Sequence, residues 1–369
     1  MRHVGSAESA GGRLGAVLAA PRSGVVPLGS SGPWLAATPA AARRVLTDPA
    51  VFDFPGDVTR SGDLSGSRGD TRSGHVTFPP LTPDQVAAGV ETFAREWEAA
   101  VAAHVRELRG EPYDAMVLLR RPVARSTTAA VLPSVDARSR DEVADLVLAW
   151  IDALAPVIAA RRPPRRWSRA RRAEHRARLA LEDVLAAAPG PGQPPELTAT
   201  LLAAGVQVPI AAGAWLLAWL GGAPGRTVDP VHAVWETLRL TPPTWITARV
   251  TTTAVDLDGV TIPSGAVVMV SPLLLGRLET LVPGDPAGLA GFDPDRWRTA
   301  DQRPGAWLPF GAGPHACPGR TLGLAQLVRL AQWAGTHVIT LSEHVGIDQS
   351  RGIRPSPCRF TVAPREGGP

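Results

Sequence analysis

The sequence predicts a mainly α-helical protein with a small β-rich part, and three observations carry that expectation. Apolar residues recur at helical spacing in several long segments. The segment 197–220 is almost entirely apolar and is the longest such run. Residues 245–271 alone change character: they are rich in Val, Thr and Ile, with Asp258-Gly259 and Ser264-Gly265 as turn pairs.

Taken in order, residues 1–80 are rich in Gly, Pro, Ser and Asp, above all over 55–74, and read as loops with a few short elements. Residues 1–24 read as a loosely ordered lead-in. Their apolar patch, 14–20, is a weak signal-peptide core. A helix is expected over 82–108, capped by Thr82, with Val86, Val90, Phe93 and Trp97 on one face. Residues 139–160 and 166–188 read as helices, the second despite its arginines and ended by Pro189. The helix 197–220 is long enough to span a bilayer. It carries Gln207 and Pro209 near its middle and has no arginine cluster at either end, so it reads as the buried central helix of a large protein. A helix over 231–240 stops at Pro242-Pro243. After the β-rich segment comes a loop-rich stretch, 278–318, and a last helix, 321–334. The chain reads as a single domain over 1–369.

Composition sets the broad class. With 369 residues, 44% hydrophobic and 20% charged, the chain has enough apolar side chain for a large core. The net charge is only +4, although the isoelectric point is about 10.2. The gap arises because the cationic side chains are arginines; there is no lysine, and no asparagine either. Both absences fit a GC-rich coding sequence, so the basic isoelectric point is not read as nucleic-acid binding. Two cysteines, Cys317 and Cys358, make no disulfide framework and no metal-finger spacing, which fits a reducing cytoplasm.

The strongest chemical signal is the run Phe310-Gly311-Ala312-Gly313-Pro314-His315-Ala316-Cys317-Pro318-Gly319. It is a glycine-punctuated loop that presents one cysteine at the mouth of a helix. Glycines permit backbone conformations and close approaches that a side chain forbids. A helix N-terminus favours negative charge, so a cysteine there is easier to hold as thiolate, the form that ligates iron. A buried structural thiol beside a turn is the bland alternative. Six constrained positions in ten residues argue against it.

This run resembles the haem-binding loop of the cytochrome P450 family at Phe310, Gly311, Gly313, His315, Cys317 and Gly319. The resemblance implies the family's fold, somewhat trimmed, and haem b (iron protoporphyrin IX) as cofactor. It implies Cys317 as axial ligand, His315 as donor to a haem propionate and Phe310 packed near the sulfur. Glu236 and Arg239 share a helix face. They are similar to the family's buried Glu-x-x-Arg pair, with Arg296 as the second arginine. Arg249 resembles a propionate-binding arginine, suited to a carboxylate by its planar charged fork. His75 resembles a basic residue on the propionate-facing helix. That helix is shortened here, since 76–80 lacks the expected arginine and ends in two prolines.

The resemblance also exposes a departure. In oxygen-activating members an Ala-Gly pair over the iron is followed by an acid and a threonine. Here Ala204 and Gly205 are followed by Gln207 and Val208. Gln207 cannot ionise and Val208 has no hydroxyl, so the usual proton relay lacks both members. Pro209 removes an N–H and is expected to kink the helix. The gap 221–230 is also short where the family has extra helices.

The function expected from these residues is oxidation of a small or medium organic molecule in bacterial specialised metabolism such as antibiotic biosynthesis. Hydroxylation, cyclisation, desaturation and coupling are all open. Two alternatives stand beside it: a haem-thiolate enzyme using peroxide, substrate assistance or rearrangement, and a haem-bearing partner without turnover. A third is a membrane protein anchored by 197–220. The expected electron source is a ferredoxin-type donor. The segment 161–178, opening on Arg161 and closing on Arg178, reads as a solvated helix face, with docking of an acidic carrier protein as the functional alternative. Neither nucleic acid nor a membrane is expected as a partner.

Overall fold

The computed structural model describes residues 4–30, 32–54, 76–107, 111–160, 162, 164–165, 167–188, 193–223, 225–285, 288–298, 304–350 and 352–365. Its helices are α1 (Gly12–Leu18), α2 (Pro39–Thr47), α3 (Pro83–Glu107), α4 (Ala115–Leu118), α5 (Arg120–Val131), α6 (Ala137–Ile158), α7 (Arg169–Ala187), α8 (Pro195–Gly221), α9 (Pro230–Leu240), α10 (Pro272–Leu275) and α11 (Arg320–Gly335). Its strands are β1 (Val25–Pro27), β2 (Trp34–Ala36), β3 (Phe52–Asp53), β4 (Tyr113–Asp114), β5 (Thr247–Thr251), β6 (Val255–Leu257), β7 (Val260–Ile262), β8 (Val267–Val270), β9 (His337–Leu341), β10 (Gly346–Asp348), β11 (Arg354–Ser356) and β12 (Arg359–Pro364). The mainly helical class with a minor β part is what the sequence predicts.

Several ends are fixed by the expected chemistry. At the start of α3, Thr82 and Gln85 form a capping box: the Gln85 N–H donates to Thr82 Oγ1 at 3.3 Å and the Thr82 N–H to Gln85 Oε1 at 2.9 Å. Ser168 caps α7, later than the predicted start, by accepting from the Arg171 N–H. In α8, 67% of the most apolar window is buried, so the helix threads the core although it is long and apolar enough to cross a membrane.

Three expectations need correction. Residues 4–24 are no loose lead-in. Leu14 and Val17 of α1 are buried, and Glu8 pairs with the buried Arg277 at 2.9 Å. The β-rich segment is not a self-contained sheet. β5 and β8 pair with each other and lie inside a five-stranded sheet of order β1-β2-β8-β5-β3, completed by strands from the N-terminal eighty residues. Its middle, β6 and β7, is a separate hairpin. Helix α5 has no counterpart among the predicted helices. It is buried on nearly every side from Pro122 to Val131, including Ser126, Thr127 and Thr128, so it shows no apolar stripe. Thr128 hides its hydroxyl by donating to the Ala124 carbonyl at 2.9 Å.

Candidate active site

The Cys317 loop is closed on itself: the Cys317 N–H donates to the Phe310 carbonyl at 2.9 Å. Gly311 and Gly313 sit at φ +70° and +71°, where a side chain is strained. A Cβ on Gly313 would also lie 2.8 Å from the Leu46 carbonyl oxygen, so glycine is required for the loop to rest on α2. The loop delivers Cys317 just ahead of α11.

Cys317 is a free thiol that opens into a cavity of about 360 Å³. The protein surrounding it raises the thiol above its ordinary value, because burial disfavours the charge; a hydrogen bond from Gly319 and the charge of Arg320 act in the opposite sense. Cys358 is different. It is buried and pushed up to about 12 by burial, beside the Ala214 carbonyl and away from the cavity. The cavity wall is largely apolar and draws on Leu46, Leu201, Val208, Leu238, Val270 and Leu322, among others.

Of the candidate residues, Phe310, Gly311, His315, Cys317, Gly319 and Arg249 line this cavity together with Ala204, Gly205 and Val208 of α8. Gly313 supports the loop from behind. Gln207 is half-buried and does not form part of the cavity wall, because its position on α8 points away from the face that carries Ala204, Gly205 and Val208. His75 lies outside the described residues.

Arg249 is 6% exposed, and its guanidinium lies 3.8 Å from the centroid of the Phe54 ring. Burial pushes its pKa down, with the charge of Asp53 acting against that. His315 meets the same ring edge-on at 4.8 Å. Phe54 thus brings the two basic groups together, and no periodicity in the sequence points to it.

Behind the loop, Glu236 is fully buried and accepts five hydrogen bonds. Arg239 supplies two, at 2.9 and 2.6 Å; Arg296 Nε, the Asp293 N–H and Trp297 Nε1 supply one each at 3.0 Å. Arg239 extends to the carbonyls of Gly276 and Leu289. The expected pair and its second arginine are therefore one buried network tying α9 to the chain before the loop.

The sequence reading missed Thr127. Pro209 cannot donate to the Gly205 carbonyl four residues earlier. The Thr127 hydroxyl does so instead, at 3.1 Å. A Cβ on Gly205 would meet Thr127 Cγ2 at 2.9 Å, so the glycine makes room for the replacement donor. Helix α8 continues through Pro209 to Gly221.

The donor set fits a flat, largely apolar cofactor with an iron and carboxylates. It offers one thiol at the cavity surface, one buried guanidinium against the Phe54 ring, one imidazole and apolar walls.

The fold is one seen in solved structures. CYP175A1 from Thermus thermophilus superposes with a TM-score of 0.70 over 90% of this chain and 89% of its own, at 22% identity. EryK from S. erythraea gives 0.66 over 93% of each chain at 18% identity. Residues 231–330, which hold the Glu236 network and the Cys317 loop, match the Cytochrome P450 family model. Over that stretch the sequence is that of a cytochrome P450, and the whole chain shares the fold of those solved structures. Relatives include cyclooctat-9-en-7-ol 5-monooxygenase of Streptomyces melanosporofaciens, 43% identical over 94 residues, and pentalenene oxygenase of Streptomyces avermitilis, 39% identical over 111. These alignments span 25% and 27% of this chain but only 20% and 23% of those proteins. The family model matched over 231–330 implies a haem iron cofactor.

Proposed function

We propose that this chain is a haem-thiolate monooxygenase-type oxidoreductase acting on a small or medium, largely hydrocarbon molecule. The observation that carries the reading is the free Cys317 thiol opening into an apolar cavity flanked by Arg249 and His315. Haem b held there would supply the redox and oxygen chemistry that side chains lack. Cys317 would hold the iron, with the Gly319 N–H and the Arg320 charge favouring its thiolate. Arg249 and His315 would hold the carboxylates, and an anionic partner offsets the desolvation of Arg249. Ala204, Gly205 and Val208 leave a small-residue, water-excluding wall for the substrate. The relatives' names, a monooxygenase and an oxygenase of compounds called cyclooctat-9-en-7-ol and pentalenene, support a substrate with few polar groups.

One observation favours oxygen activation outside the usual relay. Val208 has no hydroxyl, and the nearby Thr127 hydroxyl spends its proton on Gly205. Peroxide-dependent or substrate-assisted chemistry accords with that. For partners, Arg162, Arg165, Arg169, Arg172 and Arg176 are exposed and have no carboxylate partner among the described residues. They offer a surface to an acidic protein, either a carrier or a ferredoxin-type donor. Both cysteines are free, in keeping with the reducing cytoplasm.

The test is a titration of haem-loaded protein with apolar candidate substrates, followed by turnover with either a reducing system or hydrogen peroxide. A shift in haem absorption followed by oxidised product is expected, with peroxide the better oxidant. A shift with no product under either condition would point instead to a haem-bearing partner without turnover.

A further inference from the structure

Three tryptophans stand ring to ring behind the Cys317 loop. Trp235 lies on α9, Trp297 closes the short turn Pro294–Trp297, and Trp307 precedes Phe310 in the chain. Ring centroids are 6.3 Å apart from Phe310 to Trp235, 5.9 Å from Trp235 to Trp307 and 5.2 Å from Trp307 to Trp297. Phe310 is in the cavity wall, so the row starts at the proposed site and leads away from it.

Packing alone does not explain the choice of indoles. Trp307 is fully buried, and its Nε1 has no hydrogen-bond partner among the described residues. An unpaired buried donor costs stability, and a phenyl ring fills core space without that cost. What an indole offers beyond a phenyl ring is ready loss of one electron.

The two ends of the row differ in charge. The Arg320 guanidinium lies 6.0 Å from the Trp235 ring centroid and 5.6 Å from that of Phe310. A cation there repels positive charge on Trp235. At the other end, Trp297 Nε1 donates to the Glu236 carboxylate at 3.0 Å, although Arg239 and Arg296 hold the same carboxylate. A carboxylate on the indole N–H favours oxidation of that ring and can accept its proton.

We propose that Trp235, Trp307 and Trp297 form an electron relay that drains oxidising equivalents from the cavity, with Trp297 as its terminus. The proposal rests on the haem-thiolate reading above and names a hydroperoxide as the oxidant. Tunnelling falls off exponentially with distance, so hops between touching rings outrun one long jump. Reduction of a hydroperoxide to an alcohol and water takes two electrons and two protons and breaks the O–O bond. The relay supplies the electrons one at a time, and solvent supplies the protons. For each electron delivered, Trp297 is left oxidised and its N–H proton shifts to Glu236. A one-electron reductant in solution then returns the electron, and the proton moves back. Two such cycles balance one hydroperoxide. Without substrate, the relay diverts the oxidant from the Cys317 loop.

The experiment uses the full haem-loaded chain, an equimolar amount of hydrogen peroxide and no substrate. Samples are frozen for electron paramagnetic resonance and digested for mass spectrometry of oxygenated tryptophan. A tryptophan radical is expected, with adducts concentrated on Trp297. Trp307→Phe should lower the Trp297 adducts several-fold and hasten bleaching of the haem. Trp97→Phe, in the separate pair with Trp333, should change neither. Trp235→Phe breaks the row one ring earlier and serves if Trp307→Phe fails to load haem. Adducts spread evenly over Trp97, Trp167, Trp297 and Trp333, or unaffected by either break in the row, overturn the relay and leave the haem-thiolate reading intact. A protein that binds no haem through thiolate overturns both.

Discussion

Pro209 looks like damage to the central helix when read in the sequence, yet the structure shows it repaired from a neighbouring helix. Its missing N–H frees the Gly205 carbonyl, and Thr127 of α5 supplies the donor. The repair locks the Thr127 hydroxyl at the cavity wall as a donor to the protein. Thr127→Val should therefore cost about 1 kcal/mol by removing the donor to a part-buried carbonyl. In a Pro209→Ala background, where the helix can satisfy Gly205 itself, the same change should cost clearly less. Urea unfolding of the four variants measures that coupling. Equal costs in both backgrounds would mean that the two residues act independently. Little of this was legible: Gly205 and Pro209 stood out, but Thr127 sits 78 residues before Gly205 in a helix without an apolar stripe. Gln207 follows Gly205 by two positions, yet only Ala204, Gly205 and Val208 of that motif reach the cavity wall, a distinction of helix face that the motif alone does not carry.

Among the elements, the N-terminal segment was the largest misreading. Its composition is that of a loop, and α1 is too short to show periodicity. What anchors it is long-range. Arg277 is almost wholly buried, and Glu8 is the carboxylate that pairs with it, while the Arg239 and Leu240 carbonyls take its other N–H groups. Burial disfavours the Glu8 charge, but the Arg277 charge and hydrogen bond outweigh it, holding the carboxyl below its ordinary range. A lowered folded pKa means that the stabilisation is present above the unfolded pKa and is lost as pH falls through the folded one. Glu8→Gln should cost of the order of 1 kcal/mol at neutral pH, since Glu8 is a third exposed and solvent screens the pair. The difference should shrink on acidification below the ordinary glutamate range. Unfolding midpoints of both proteins across acidic pH measure it, and a difference independent of pH would exclude an ionic role.

Across the whole molecule, legibility follows distance along the chain. The Cys317 loop packs its constraints into ten residues, so it could be read directly; the Glu236–Arg239 pair sits on one helix turn, where spacing alone suggests a surface ion pair and only the resemblance marks it as buried. The cavity wall could not be read directly, because Leu46, Thr127, Leu201 and Thr247 come together only through folding. The same holds for the five-stranded sheet, which joins strands more than 200 residues apart in the chain at the β2–β8 pairing.

If Cys317, and not Cys358, holds a haem iron in this cavity, the absorption spectrum of the reduced, carbon-monoxide-treated protein after haem loading must depend on Cys317 alone. The wild type and Cys358→Ala should both show the band of a thiolate-ligated haem, because Cys358 faces the Ala214 carbonyl in the core. Cys317→Ala should lose that band. Its retention in Cys317→Ala, or its loss in a folded, haem-loaded Cys358→Ala, would overturn the assignment of Cys317 as the iron ligand.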